Sequence, residues 1–172
     1  MSGEQADRFD PYALLEALER HRVGYVVIGA LGRVLRGSGE LTDGLDICPS
    51  MNPESLRRLD LALADLNARN QQGKPAAVER DLVGRPVLEL ETDAGELKII
   101  PEPAGTRGYD DLRHRAAHQP IGEGLWPQVA SVDDHARMLA VLARDADRLP
   151  LQRMQRVIEL DHELSRGISM ER

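Results

Sequence analysis

The sequence predicts an α/β (α+β) domain, a small mixed twisted sheet flanked by helices and followed by a helical C-terminal part. Three observations predict it. Short apolar runs of strand length, residues 25–28 and 45–49, alternate with segments whose leucines recur at three and four. Asp93-Ala94-Gly95 lies between two strand-like runs, residues 86–92 and 97–102, and is a hairpin turn signal. Beyond residue 131 the apolar residues follow helical spacing.

Residues 1–9 are polar and are expected to be disordered. Asp10 caps a first helix with Pro11 at its first position, where the missing N–H would be unpaired anyway. Leu14, Leu15 and Leu18 form its apolar stripe, and it should end near His21. Residues 25–28 read as an interior strand. Gly29 then turns the chain into a short helix that buries Leu31, Val34 and Leu35 and stops at Gly37, Ser38 and Gly39. Residues 45–49 are the second strand, closed by Pro49. Asn52 and Pro53 open a helix with Leu56, Leu59, Leu63 and Leu66 on its core face.

Residues 69–75 are a loop, and 77–83 fit either a strand or irregular structure. After the hairpin, a Pro- and Gly-rich loop leads to a helix expected over residues 109–117. Residues 129–131 read as a last short strand. Ser131 caps the next helix, with Asp133 and Asp134 favourably placed in its first turn. Pro150 separates it from a final amphipathic helix built on Leu151, Met154, Val157, Ile158 and either Leu160 or Leu164. The division expected is one domain over residues 10–172, with a sheet core to about 128 and C-terminal helices over 131–166.

A length of 172 residues suits one domain with a real core. Aromatics are only 3% of the chain, so the core must be aliphatic, and stacking platforms for single-stranded nucleic acid are not expected. The net charge of −7 opposes extensive nucleic-acid binding. Arg107, Arg113, His114, Arg115 and His118 form a basic stretch, but Asp110 and Asp111 interrupt it, and it reads as a solvated helix face. Cys48 is the only cysteine and lies in an apolar run, which suits a buried small hydrophobe in a reducing cytoplasm. No apolar stretch has membrane-spanning length and the N-terminus lacks a signal-peptide pattern, so a cytoplasmic protein without a membrane partner is expected. His114 and His118 have a metal-compatible spacing without a third ligand nearby. His21, His135 and His162 are expected on helix surfaces, and Trp126 as a core anchor under a loop.

Three blocks, in order, carry a resemblance. They are VVIGALGRVLRGSGELTDGLDI at residues 26–47, ETDAGELKIIPEPAGTRGYDDL at 91–112, and VASVDDHARMLAVLARDADRLPL at 129–151. Together they resemble small bacterial nucleotidyltransferase-like proteins, including the AbiEii-type toxin group. The resemblance implies the nucleotidyltransferase fold. It also implies a site in which two acids at i and i+2 on one strand share a face with a third acid on the neighbouring strand. Such acids hold magnesium against a triphosphate, while a Gly-rich turn lets backbone N–H groups approach the phosphates.

Carried over residue by residue, Gly29 matches the first family glycine and Ala30 stands where Gly or Ser is usual. Thr42 and Asp46 match the family Thr and second Asp. Gly44 replaces the first metal-binding Asp. Asp43, adjacent to it, points to the other face unless the loop bulges. Lys98 occupies the third acid position, with Glu96 two residues back on the same face. Leu139 replaces a helix lysine, while Arg144 and Asp147 match the family pattern or form an i, i+3 ion pair.

The implied set is therefore Asp46 as the remaining catalytic acid, and Gly29, Ala30, Thr42, Lys98 and Arg144 as nucleotide-binding residues. Asp46 and Asp43 are the metal candidates. Magnesium is implied only if transfer persists, and no other cofactor is implied. The joint departures at Gly44, Lys98 and Leu139 point to a pseudoenzyme that binds a nucleotide or a protein partner, in a toxin–antitoxin setting. Two alternatives stay open. One is an active enzyme transferring a nucleotide from an NTP to RNA or protein through Asp46 with Asp43 or Glu96. The other is a homo-oligomeric interaction module, such as a homodimer packed through the last helix.

Overall fold

Alternation along two short apolar strands decides the layering of this protein. In the computed structural model, which describes residues 9–142 and 148–170, the centre of the sheet is formed by β1 (Tyr25–Ile28) and β2 (Gly44–Pro49). Tyr25, Val27, Leu45 and Ile47 face one apolar cluster. Val26, Ile28 and Cys48 face another. Side chains on a strand alternate between faces, so Asp46 belongs with Cys48, on the second face.

The sheet has six strands in the order β3-β4-β2-β1-β6-β5, completed by β3 (Leu88–Thr92), β4 (Gly95–Ile99), β5 (Ala117–His118) and β6 (Gln128–Val129). It is mixed. β1 and β2 are antiparallel with Ile28 opposite Asp46. β2 and β4 are parallel with Asp46 beside Lys98. β3 and β4 form the hairpin, Glu89 opposite Lys98. β6 runs parallel to β1 and pairs with β5 on its far side.

Helices α1 (Pro11–Arg20) and α3 (Pro53–Asp65) cover the first face, burying Leu14, Leu18, Leu59 and Leu63 against Leu45, Leu97 and Ile99. Each fully buried Leu contributes roughly 1.5–3 kcal/mol. Their starts follow the sequence: Asp10 accepts from the Ala13 N–H at 3.1 Å and Asn52 from the Ser55 N–H at 2.7 Å. The second face is covered thinly, by α5 (Tyr109–Leu112) and α6 (Val132–Leu142) through Leu112 and Met138, with Ala130 from the link before α6. The polar residues of β2 and β4 are left open on that side. Between these elements lie α2 (Gly29–Leu35) and α4 (Val78–Leu82), and α7 (Arg148–Met170) closes the chain. Among the described residues no helix is long and apolar enough to cross a membrane.

Four expectations need correction. Residues 77–83 contain the short helix α4, neither strand nor irregular. The helix expected over 109–117 stops at Leu112, because residues 117–118 extend to pair with β6. His114 and His118 therefore share no helix face, and His118 instead bonds the Trp126 carbonyl at 2.7 Å. Trp126 is 57% exposed; Ile121 and Leu125 pack on the core in its place. Phe9, assigned to the polar tail, packs its ring against Gly95. Residues 1–8 of that tail lie outside the described residues.

One contact fixes where α6 begins. Arg36, at the end of α2, donates to the Ala130 carbonyl at 3.0 Å and the Val129 carbonyl at 3.1 Å. Ser131 then caps α6 by accepting from the Asp134 N–H at 3.1 Å. Charge-assisted bonds of this kind contribute about 1.5–3 kcal/mol. Arg36→Met should therefore lower stability by about 2 kcal/mol, read as a fall in Tm of roughly 4–8 °C. An unchanged melting curve would mean that solvent satisfies those carbonyls equally well.

Candidate functional site

The open part of the second face is a cleft of about 580 Å³. Its walls are the β1–α2 turn, the middle of β2 and β4, the loop after β4, and α6. Gly29, Ala30, Asp46, Lys98 and Leu139, drawn from distant parts of the sequence, all line it.

Gly29 has a backbone that only glycine tolerates easily, with φ +68°, and a side chain there would fall on the Asp46 carboxylate. The chain thus brings the turn after β1 into direct contact with Asp46. α2 opens at Gly29 with no side-chain cap, so its first N–H groups have no intrahelical partner.

Asp46 pays for its place with a shifted titration. Burial raises its carboxyl above the usual carboxylate range; the Lys98 ammonium opposes the rise, and Glu96 adds to it. Lys98 is flanked in register by Asp46 on β2 and Glu89 on β3. Its ion pair is with Glu96 at 3.5 Å, and both side chains are over a third exposed. Such a pair contributes about 0–1 kcal/mol. Lys98 therefore remains available to a ligand.

Arg33 reaches the cleft from α2 and is held by Glu40 in a two-pronged bond of 2.8 and 2.9 Å. Ser38 donates to the same carboxylate at 2.7 Å. Burial pushes the Glu40 carboxyl up, but Arg33 and Ser38 outweigh it and keep the group below its ordinary range. Ile28, Ile100, Met138 and Leu142 make the opposite wall apolar.

Other sequence-predicted residues are elsewhere. Thr42 donates to the Gly44 carbonyl at 3.0 Å and shapes the loop without lining the cleft. Asp43 is exposed and also outside it. Gly44 lies opposite Glu96, where an added Cβ would find an ordinary 3.4 Å contact, so sterics do not demand glycine there. Arg144 and Asp147 lie outside the described residues. Cys48 is buried and its thiol is pushed up to about 12 by that burial, which leaves it protonated and unreactive. Among the described residues, no three His, Cys, Asp or Glu side chains gather as a metal-holding group.

The structure also adds residues that the sequence did not single out. Glu89 and Glu102 line the cleft. So does His135, expected at a helix surface but only 1% exposed. Its ring packs against Gly32 of α2, where a Cβ would approach its Cε1 to 2.7 Å, and neither ring nitrogen has a hydrogen-bond partner among the described residues. Burial, with Arg33 and Arg36 close by, lowers its pKa to about 3.

No protein-family model matches this sequence, and no curated protein matches it. Solved structures do. The lincosamide antibiotic adenylyltransferase LnuA with lincomycin bound superimposes with a TM-score of 0.58 at 12% identity, covering 87% of this chain and 99% of LnuA. The antibiotic-resistance factor ANT(2'')-Ia in solution gives 0.55 at 12% identity, over 93% of this chain and 92% of its own. The crystal structure of ANT(2'')-Ia with adenylyl-2''-tobramycin gives 0.53 at 11% identity, over 91% and 95%. The fold is that of the nucleotidyltransferases. The nucleotidyltransferase fold expected from the three sequence blocks is thus the one observed.

Two measurements probe this site. Gly29→Ala combines a left-handed backbone cost of about 1–2 kcal/mol with displacement of Asp46. Adding Asp46→Ala should recover the second part only, a coupling of about 1 kcal/mol or more in a double-mutant cycle by denaturation; strictly additive losses would show that the two residues do not press on each other. For His135, the folded-state pKa lies below the unfolded one, so its stability contribution is full above about pH 6.5 and is lost as pH falls toward 3. The charged groups that face it are Arg33, Arg36 and Glu40. Lowering the pH from 7 to 5 should cost the wild type about 2 kcal/mol through this group, a loss that His135→Leu should remove.

Proposed function

We propose that this protein binds a nucleotide in the cleft between Gly29 and α6 without metal-dependent nucleotidyl transfer, as a pseudoenzyme of the nucleotidyltransferase fold. The observation that supports this reading is the position of Lys98. Where the related site chemistry calls for a third acid, an ammonium stands in register beside Asp46. Gly44, on the same face, offers no ligand atom from a side chain, and Asp43 lies outside the cleft. This donor set does not fit a pair of magnesium ions, which need hard, negative oxygens. An ammonium repels a divalent cation but compensates phosphate charge directly.

In this reading, phosphates meet the uncapped first turn of α2 at Gly29 and Ala30, together with Lys98. The base and sugar lie along Ile100, Met138 and Leu139. Asp46, packed on Gly29, holds the turn and lies in register beside Lys98. A role in a toxin–antitoxin pair fits a binding protein of this kind and rests on the sequence resemblance alone.

A second reading is an active transferase, favoured by Glu89 and Glu102. They bring further acids to the cleft, which holds Asp46 too. The structural neighbours include a lincosamide adenylyltransferase and ANT(2'')-Ia carrying an adenylyl-tobramycin. ATP, with a small hydroxylated acceptor, is thus the first substrate pair to try.

Calorimetric titration with ATP, CTP, GTP and UTP, with and without magnesium, separates the two. The pseudoenzyme reading expects saturable binding that does not depend on metal and no pyrophosphate release. Lys98→Ala should weaken that binding by about 10-fold or more, the equivalent of one charge-assisted contact. Binding that requires magnesium and is followed by pyrophosphate release would overturn the reading. Because Gly44 has room for a side chain, Gly44→Asp with Lys98→Asp should create measurable magnesium affinity.

A further inference from the structure

A second cleft, of about 630 Å³, opens at the other end of β1 and β2. Gly24 enters β1 and Ser50 leaves β2 there, whereas Gly29 lies at the opposite end of β1. We propose that this second cleft binds the phosphate group of a small ligand, independently of the first cleft and of the nucleotide reading given to it.

Four arginines from separate segments converge on it: Arg22 from the turn after α1, Arg58 from α3, Arg107 from the loop before α5, and Arg113 just after α5. Two of them are already engaged. Arg58 pairs with Glu54 at 3.2 Å, and Arg113 pairs with Asp110 at 3.3 Å while lying over the Tyr109 ring. The guanidinium groups of Arg22 and Arg107 make no hydrogen bond or ion pair among the described residues. The acids of the cleft are Glu54, Asp110 and Glu102. Glu54 is met by both Arg57 and Arg58, Asp110 by Arg113, and the nearby Asp111, which Arg107 also feels, by Arg137, so Glu102 is the one carboxylate of the cleft without an arginine partner among the described residues.

The local charge is therefore positive on a chain whose net charge is −7. Gathering like charges costs free energy unless an anion accompanies them. Guanidinium groups donate through a planar fork that matches phosphate oxygens. The first turn of α3 is already capped by Asn52, so the partners offered to the anion are arginine side chains and the Tyr109 hydroxyl.

The cleft is also built by close backbone approach. A Cβ on Gly24 would come within 3.1 Å of Ser50 and 3.3 Å of the Ser55 hydroxyl. One on Gly108, at φ +85°, would meet the Pro101 carbonyl oxygen at 2.7 Å. The loop that carries Arg107 is thereby held against the end of the sheet. The sequence had placed Arg107 and Arg113 in a solvated helix face. The structure divides that basic stretch, sending Arg115 to Asp134 at 2.8 Å and leaving Arg107 and Arg113 to the cleft.

Inorganic phosphate and pyrophosphate, titrated calorimetrically at low ionic strength, are the probes. Three proteins are compared: wild type, Arg22→Gln with Arg107→Ala, and Lys98→Ala. Circular dichroism melts check that all three are folded. The expected result is a saturable, salt-sensitive binding event that survives in Lys98→Ala, whatever the first cleft loses there, and weakens at least tenfold in the double arginine variant. Absence of saturable binding, equal affinity in the arginine variant, or loss confined to Lys98→Ala would overturn the proposal. Metal-independent ATP binding lost only in Lys98→Ala would uphold the nucleotide reading while this one fails, so the two are separable.

Discussion

The contact between Gly29 and Asp46 is the constraint on which the candidate site depends. Antiparallel pairing of β1 with β2 sets Ile28 opposite Asp46, so the residue after Ile28 must turn over that carboxylate. Only a residue without a side chain, in a left-handed conformation, can make the turn at that distance. From this one contact follow the start of α2, the direction in which Arg33 and Arg36 leave it, and the anchoring of α6 through Arg36. The floor and both walls of the cleft are thus coupled to a single atom-scale approach.

Charge is the second constraint on the cleft. A buried carboxylate between strands is costly unless a cation offsets it, and here the protein supplies the cation itself. Lys98, in register beside Asp46, lowers the cost of that charge, although burial still holds the carboxyl above its ordinary range. The same exchange of external for internal charge recurs at Arg33 and Glu40, whose mutual bonds are nearly shielded from solvent.

Much of this was legible before any coordinates. Residues 25–28 and 45–49 alternate between two apolar clusters; strand periodicity put Gly44 with Asp46 and Glu96 with Lys98, while only the family resemblance set Lys98 beside Asp46. The hairpin turn at 93–95 gave the pairing that sets Glu89 against Lys98, though Glu89 itself was not singled out. His135 was readable but missed: with Met138, Leu139 and Leu142 it recurs at three, four and seven, the spacing of a buried stripe. A histidine in such a stripe is easily mistaken for a surface residue. The strand at 117–118 was not legible, because its pairing with β6 is a long-range contact that overrides local helical preference. Trp126 misled through size, since burial is decided by where the loop lies and not by how apolar the ring is. Nothing local to residues 22, 58 and 107 signals that they meet.

Glu102 belongs to the walls of both clefts. It rides on a segment stitched to the sheet by the Ile100 N–H to the Ile47 carbonyl, 2.9 Å, and by the Cys48 thiol to the Pro101 carbonyl, 3.5 Å. A negative occupant on either side of this carboxylate raises the cost of one on the other side, and linkage makes that penalty mutual. With an anion in each cleft, either would therefore feel the other across this shared wall without any change of shape.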